Sequence, residues 1–390
     1  MNTVYSSGRM RLPLVVFFIA LGISHSFGQN KAVEQLIEKI DLFTKGLPQE
    51  KIFLHTDRAY YGSGETIWFQ SYAAAGSGNL PSTLSQTVYT QLIDSNDSLI
   101  SQVVTESFNG FGNGYIDLPP NLTDGKYQLV SFTNWMKNFG EEYFFRKSIG
   151  IVNSDVESIT PDITKQKIDL QFFPESGNLV DQVPTKIAFK AIDENGQGVN
   201  IKGKMLGSNG EAYELESDHD GMGQFFLTPT FGVTYYGQIE GLDQRFLLQD
   251  VQKEGFSLRA SQAQSAPLKI TTLRNGRLDA GSQLQLIIHQ RGRVLYSIEI
   301  NQKSSISIAE VPTEDFPPGI VSITLFDEKG VEPLAERLVF VDNLTSQVSI
   351  DHLQKEYGIR DEVNLQLALS STQTDSLSGV FSVSVIDLNQ

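Results

Sequence analysis

The chain has 390 residues, more than one hydrophobic core usually organises, so two to four domains of about 100 residues each are expected. Apolar residues make up 40 % and charged ones 19 %, which excludes wholesale disorder. The 46 acidic against 30 basic residues give a net charge of -16 with no Lys/Arg cluster, which excludes a nucleic-acid groove. Cysteine is absent, and with it disulfides, thiolate metal sites, a cysteine nucleophile and an acylated lipoprotein terminus.

Arg9 and Arg11 precede the apolar run Leu12 to Ile23, and Ser26-Phe27-Gly28 follows with small residues where a signal peptidase reads. Residues 1–28 therefore read as a secretory signal, with Gln29 as the mature N-terminus. The alternative is an uncleaved anchor, for which a run of about a dozen residues is short. No other segment reaches spanning length, so the mature chain is expected to hold no transmembrane span. Residues 29–47 carry Val33, Leu36, Ile37, Ile40 and Phe43 at helical spacing before Gly46 and Pro48, an amphipathic helix.

From Lys51 onward the pattern is short strands between Gly, Pro, Asn and Asp, the signature of an all-β chain of tandem sandwiches. Leu54 to Tyr72 is the most informative stretch. Gly62 and Gly64 can both take the positive φ of a tight turn. Ile67, Phe69 and Ser71 then alternate with Trp68, Gln70 and Tyr72 in a two-faced strand. Asn113-Gly114, Asp124-Gly125, Asn195-Gly196, Asn209-Gly210, Asp220-Gly221 and Asn275-Gly276 are each candidates for type I′ hairpin turns.

Two internal repeats set the domain phase. Pro119-Pro120 leads through Gly125 into Tyr127 and Leu129; Pro229 leads through Gly232 into Val233 and Tyr235; Pro317-Pro318 leads through Gly319 into Val321 and Ile323. Those glycines lie 107 and 87 residues apart, one sandwich per step. Tyr61-Gly62-x-x-Glu65-x-Ile67-x-Phe69 is echoed by Tyr357-Gly358-x-x-Asp361-x-Val363-x-Leu365. The expected domains are 48–155, 156–254, 255–345 and an unfinished 346–390, with a polar linker over 155–166. On this reading the chain is the front of a longer protein or a truncated product.

No Gly-x-Ser-x-Gly elbow, His-Glu-x-x-His helix or phosphate loop occurs, and Gly62-Ser63-Gly64 precedes a strand where a phosphate cradle needs a helix. Asp218-His219-Asp220 reads as a turn, with alternation separating the imidazole from both carboxylates. His55, His219, His289 and His352 fall in four different domains. No catalytic, cofactor or metal residues are therefore expected. The remaining candidate is a loop, Thr133 to Gly140, whose Trp135, Met136 and Phe139 are placed as an exposed grip for a sugar ring or a partner surface.

Tyr60, Tyr61, Gly64, Glu65, Ile67, Phe69 and the later Gly125-x-Tyr127 resemble the macroglobulin (MG2) domain of the alpha-2-macroglobulin superfamily. Phe172 to Asn178, Asp218 to Gly223 and Leu334 to Phe340 are similar to stretches of large exported Gram-negative envelope proteins built of such domains. The resemblance implies tandem immunoglobulin- or fibronectin-III-like sandwiches at the periplasm, outer membrane or cell surface. It also implies an envelope or outer-membrane protein partner, a protease or a TonB-linked receptor system among them. The thioester of many macroglobulins is impossible without cysteine, and the reading is a non-enzyme with a structural or protein-binding role. A glycan-binding protein using the loop around Trp135 is the alternative.

Overall fold

The computed structural model describes residues 31–153, 167–194, 196–262, 266–276, 283–300, 304–327, 332–343, 346–351, 354, 356–358, 360–371 and 379–386. The signal segment, the linker at 155–166, Asn195 and His352 lie outside the described residues. The sequence-expected helix is α1 (Lys31–Gly46), and all longer elements after it are strands.

The first unit holds β1 (Glu50–Thr56), β2 (Tyr60–Gly62), β3 (Thr66–Ala75), β4 (Leu80–Pro81), β5 (Thr87–Ile93), β6 (Leu99–Glu106), β7 (Phe111–Asp117), β8 (Gly125–Phe132) and β9 (Phe145–Val152). One sheet pairs β1 and β7 on either side of β3, with β4 at the end of β3. The other runs β2-β9-β8-β5-β6, in which β2 joins β9 in parallel. Alternation delivers Ile67, Phe69 and Ala73 inward from β3, where they meet Leu54, Leu92, Leu129 and Ile149 from both sheets.

The second unit holds β10 (Asp169–Pro174), β11 (Thr185–Ile192), β12 (Lys202–Gly207), β13 (Ala212–Glu216), β14 (Met222–Leu227), β15 (Tyr235–Ile239) and β16 (Arg245–Leu247). Its sheets run β10-β11-β14 and β13-β12-β15-β16. The third unit, β17 (Gly255–Ser261), β18 (Leu268–Asn275), β19 (Leu284–Gln290), β20 (Arg293–Ile300), β21 (Ile306–Val311), β22 (Gly319–Phe326) and β23 (Pro333–Val341), repeats that order as β17-β18-β21 and β20-β19-β22-β23. With the short β2 and β4 set aside, the first unit has the same order, so the three are one seven-stranded sandwich repeated. The proline-glycine repeat of the sequence falls each time just before the sixth strand: β8, β15 and β22. Each unit has its own buried apolar cluster. Val180, Val183 and Leu273 form a fourth, small one that joins the second unit to the third.

Residues 346–386 contribute one two-stranded pair, β24 (Ser346–Asp351) with β25 (Gln366–Ser371), and every residue of β24 is exposed. Several expected hairpin turns are placed differently. Asn113-Gly114 lies inside β7, because Gly114 must pass close to Phe69 and Thr105, where a side chain would collide. Asp124-Gly125 connects strands of opposite sheets. Asn209-Gly210 closes a hairpin between β12 and β13, and Asp220-Gly221, with φ of 46° and 73°, makes the expected tight turn between His219 and Met222 on the way from β13 to β14. A two-residue turn that the sequence does not announce is Arg291-Gly292 between β19 and β20, with φ of 48° and 75°.

Candidate functional site

The stretch around Tyr61 is a structural knot. Tyr61 is 2 % exposed; its hydroxyl donates to Asp57 Oδ1 at 2.7 Å and accepts the Arg58 N–H at 3.1 Å. The same Asp57 oxygen accepts the Trp68 N–H at 3.0 Å, tying the turn to the start of β3. Glu65 Oε2 accepts the Gly62 N–H at 2.8 Å and pairs with Arg58 at 3.1 Å. Only Gly64 uses a positive φ, 84°; the freedom expected of Gly62 is not needed, because the Glu65 side chain makes the turn. Burial and the bond to Asp57 raise the Tyr61 pKa above the ordinary tyrosine value.

The second copy of the motif repeats three of these bonds. Gln354 N–H donates to Tyr357 Oη at 2.9 Å, Gly358 N–H to Asp361 Oδ2 at 2.5 Å, and Asp361 N–H to Gly358 O at 3.1 Å, the distance also found from Glu65 N–H to Gly62 O.

The aromatic loop follows β8 and is held by a buried carboxylate. Glu50, 0 % exposed, accepts hydroxyl hydrogen bonds from Ser82, Ser85 and Thr133. Thr133 Oγ1 in turn accepts the Met136 N–H at 3.2 Å and starts a 3₁₀ turn over Met136–Asn138. Here the sequence expectation of three exposed side chains is corrected. Met136 is 0 % exposed and belongs to the first core, because adjacent positions on a turn this tight cannot all face outward. Trp135 is half-buried, its indole N–H donating to Pro48 O at 2.8 Å. Phe139 is half-buried as well, and it stands between Trp135 and Tyr143 in a row with ring centroids 6.5 Å apart on each side.

Phe139 and Tyr143 form one wall of a cleft of about 470 Å³. Ile40 and Phe43 of α1, Leu47 just past the end of the helix, and Arg291 and Gly292 of the β19–β20 turn line the rest of it. Thr44 fixes the helix there, its hydroxyl lying 2.8 Å from Ile40 O and 3.1 Å from Gly292 O. Lys39, Lys51 and Arg291 bring three cations to the lining, and no Asp or Glu is among the lining residues. Lys51 remains open to solvent, yet crowding around its amine and the Arg291 guanidinium hold its pKa below the ordinary lysine value. Among the described residues, none of the three cations has a carboxylate partner. The sequence marks Phe139 of these residues as a loop candidate and Ile40 and Phe43 only as the apolar face of a helix. Nothing local joins Thr44 to Gly292, which are 248 positions apart.

The described histidines, His55, His219 and His289, do not converge. His219 and Asp220 form an exposed pair at 3.1 Å, contrary to the expected separation, because a turn with positive φ at Asp220 and Gly221 does not follow strand alternation. His55 lies on β1 against Ser382, which also accepts the Tyr72 hydroxyl hydrogen bond at 2.7 Å. Residues 382–384 thereby border a second cleft beside Trp68 and Tyr115. Among the described residues no three His, Asp or Glu side chains gather as metal ligands. None of the described helices is long and apolar enough to cross a membrane.

The fold is a chain of tandem β-sandwiches, with a cleft lined by residues of α1, the first unit and the third. No protein-family model matches it, and no curated protein matches it. Among solved structures it is similar to the elastase-activated alpha-2-macroglobulin of Escherichia coli, at 12 % identity over 78 % of this chain and 32 % of that one, with a TM-score of 0.25. The dimeric latent PorU of Porphyromonas gingivalis is matched at 13 % identity over 76 % of this chain and 34 % of that one, TM-score 0.31. The Escherichia coli adhesin FdeC is matched at 13 % identity over 74 % of this chain and 96 % of that one, TM-score 0.20. The chain spans about a third of the length of the macroglobulin and of PorU.

Proposed function

We propose that the chain is an exported, non-catalytic array of macroglobulin-like sandwiches that binds a protein partner in the envelope of a Gram-negative bacterium. The observation that carries this reading is the cleft between α1, the aromatic loop and the third unit's turn. Apolar walls beside cations that have no carboxylate partner among the described residues are the composition of a recognition surface. The leader-like residues 1–28 support export, and the Tyr61 knot supports the macroglobulin likeness. An envelope or outer-membrane protein is the partner class, with a protease or a TonB-linked receptor as its family-implied members.

Expression with the native N-terminus tests export: a product beginning at Gln29 in the periplasmic or outer-membrane fraction is expected, and an uncleaved cytoplasmic product refutes it. A photo-crosslinking residue at Tyr143 should then capture an envelope protein that the same residue at the remote Phe226 does not. Equal capture from both positions refutes the cleft as the binding surface. Incubation with proteases separates the family-implied member, since release of intact protease excludes trapping.

The row Trp135, Phe139 and Tyr143 favours a second reading, a glycan gripped by the loop. Quenching of tryptophan emission by oligosaccharides, lost in Trp135→Ala, is its expected result. A flat titration excludes it.

A further inference from the structure

The cleft is amphipathic in a way that restricts its ligand. Three cations meet there in a chain whose net charge is -16. Arg291, whose guanidinium donates to the carbonyl oxygens of Ser77 and Pro318, repels the Lys51 ammonium; no carboxylate among the described residues relieves that repulsion, and an anion seated near the two would. The walls are apolar: Ile40, Phe43 and Leu47 on the helix side, Phe139 and Tyr143 on the loop side. An inorganic anion would leave those walls facing water. A ligand with an apolar body directly beside its negative group covers both.

Volume and shape narrow the class. About 470 Å³ lies within the range of small-ligand pockets, roughly 300–1,000 Å³. The space is an open trough between a helix and two sandwiches, so a bound chain has a way out into solvent. A sugar would lose hydroxyl hydrogen bonds against walls this apolar, and an acyl chain would stay partly wet. The Gln49 side chain in the lining offers an amide to a peptide backbone.

We propose that this cleft takes the free C-terminal carboxylate of a polypeptide whose last residues are apolar, the carboxylate between Lys51 and Arg291 and the terminal side chains between α1 and the Phe139–Tyr143 wall. The inference rests on the cleft being the binding surface, and it adds the part of the partner that is recognised. Lys39, exposed on the helix, adds a third positive charge to steer the approach.

Calorimetric titration of the mature chain with acetyl-Gly-Phe-Leu tests it directly. The free acid is expected to bind, with affinity that falls as salt rises, and the C-terminal amide of the same peptide about tenfold more weakly or not at all. Lys51→Gln should weaken the acid by about tenfold while leaving the amide unchanged. Because acid and amide are compared on the unaltered chain, the result does not depend on a variant folding. Equal binding of acid and amide overturns the assignment, as does the absence of binding. Tighter binding of octanoate or of trigalacturonate than of the peptide also overturns it, in favour of a fatty or a glycan ligand. A crosslink at Tyr143 that persists when the peptide fails would retain the cleft as a protein-binding surface and remove only the C-terminal carboxylate.

Discussion

Glu50→Ala removes the acceptor of three hydroxyl groups at the point where the first strand, the β4–β5 connection and the aromatic loop meet. Hydrogen bonds to a charged group are each worth about 1.5–3 kcal/mol, and a buried hydroxyl left without an acceptor costs about 1–3 kcal/mol. Two of the three partners, Ser82 and Thr133, are buried. Against this stands the relief of no longer burying a carboxylate, several kcal/mol. The net loss is therefore about 2–5 kcal/mol for the first sandwich, the magnitude of a broken buried network.

The assay is selective, because the chain's two tryptophans, Trp68 and Trp135, both belong to that sandwich. Urea unfolding followed by tryptophan emission should show the midpoint lowered by roughly 1–2 M, given a slope of about 1–3 kcal/mol per M for a unit of this size. Glu50→Gln, which keeps the volume and one acceptor oxygen, should fall between the two. A Glu50→Ala midpoint and slope equal to those of the unaltered chain would show that the hydroxyls are satisfied without the carboxylate and refute the reasoning.

Further outcomes follow from the titratable groups and the turns. The folded-state pKa of Tyr61 is raised, so its contribution is fully present below the unfolded tyrosine value of about 10 and is lost as pH climbs toward the folded value; Tyr61→Phe should flatten the alkaline decline in first-unit stability. Burial pushes His289 down, only partly countered by Glu336, and its Nδ1 is buried without a hydrogen-bond partner. Stability of the third unit is therefore present above about pH 6.5 and lost as pH falls, and hydrogen exchange in β19 and β22 should accelerate between about pH 7.5 and 5.5, less so in His289→Gln. Gly292→Ala would place a Cβ 2.2 Å from Thr44 Oγ1 at a φ of 75°. It should release α1 to faster exchange, as should Thr44→Ala, which removes the hydroxyl that reaches Gly292 O; the Gly292→Ala chain carries in addition a backbone strain of about 1–2 kcal/mol.

What could be read in advance follows the range of the interactions. Alternation located β3 from Ile67, Phe69 and Ser71, because a two-faced strand needs only its own residues to announce itself. The proline-glycine punctuation found the sixth strand of each sandwich for the same reason. Met136 was misplaced because the loop's inward side is set by Glu50, 83 positions from the Thr133 it holds, and both look like ordinary surface residues. The Arg291-Gly292 turn lacks the Asn or Asp that usually marks a positive-φ pair, and its partner Thr44 sits in a helix at the other end of the described chain. The cleft depends on both, so it could not be assembled from motifs.

The twin knots at Tyr61 and Tyr357 bear on the order in which the chain folds. In both, the tyrosine and glycine bonds span only three residues, so closing them costs little chain entropy. Pairing β3 with β7 instead joins Thr66 to Asp117, which must wait for a further fifty or so residues to leave the ribosome. A turn that sets itself first fixes which residue of the following strand faces inward, and with it the pairing register of every later strand in that sheet.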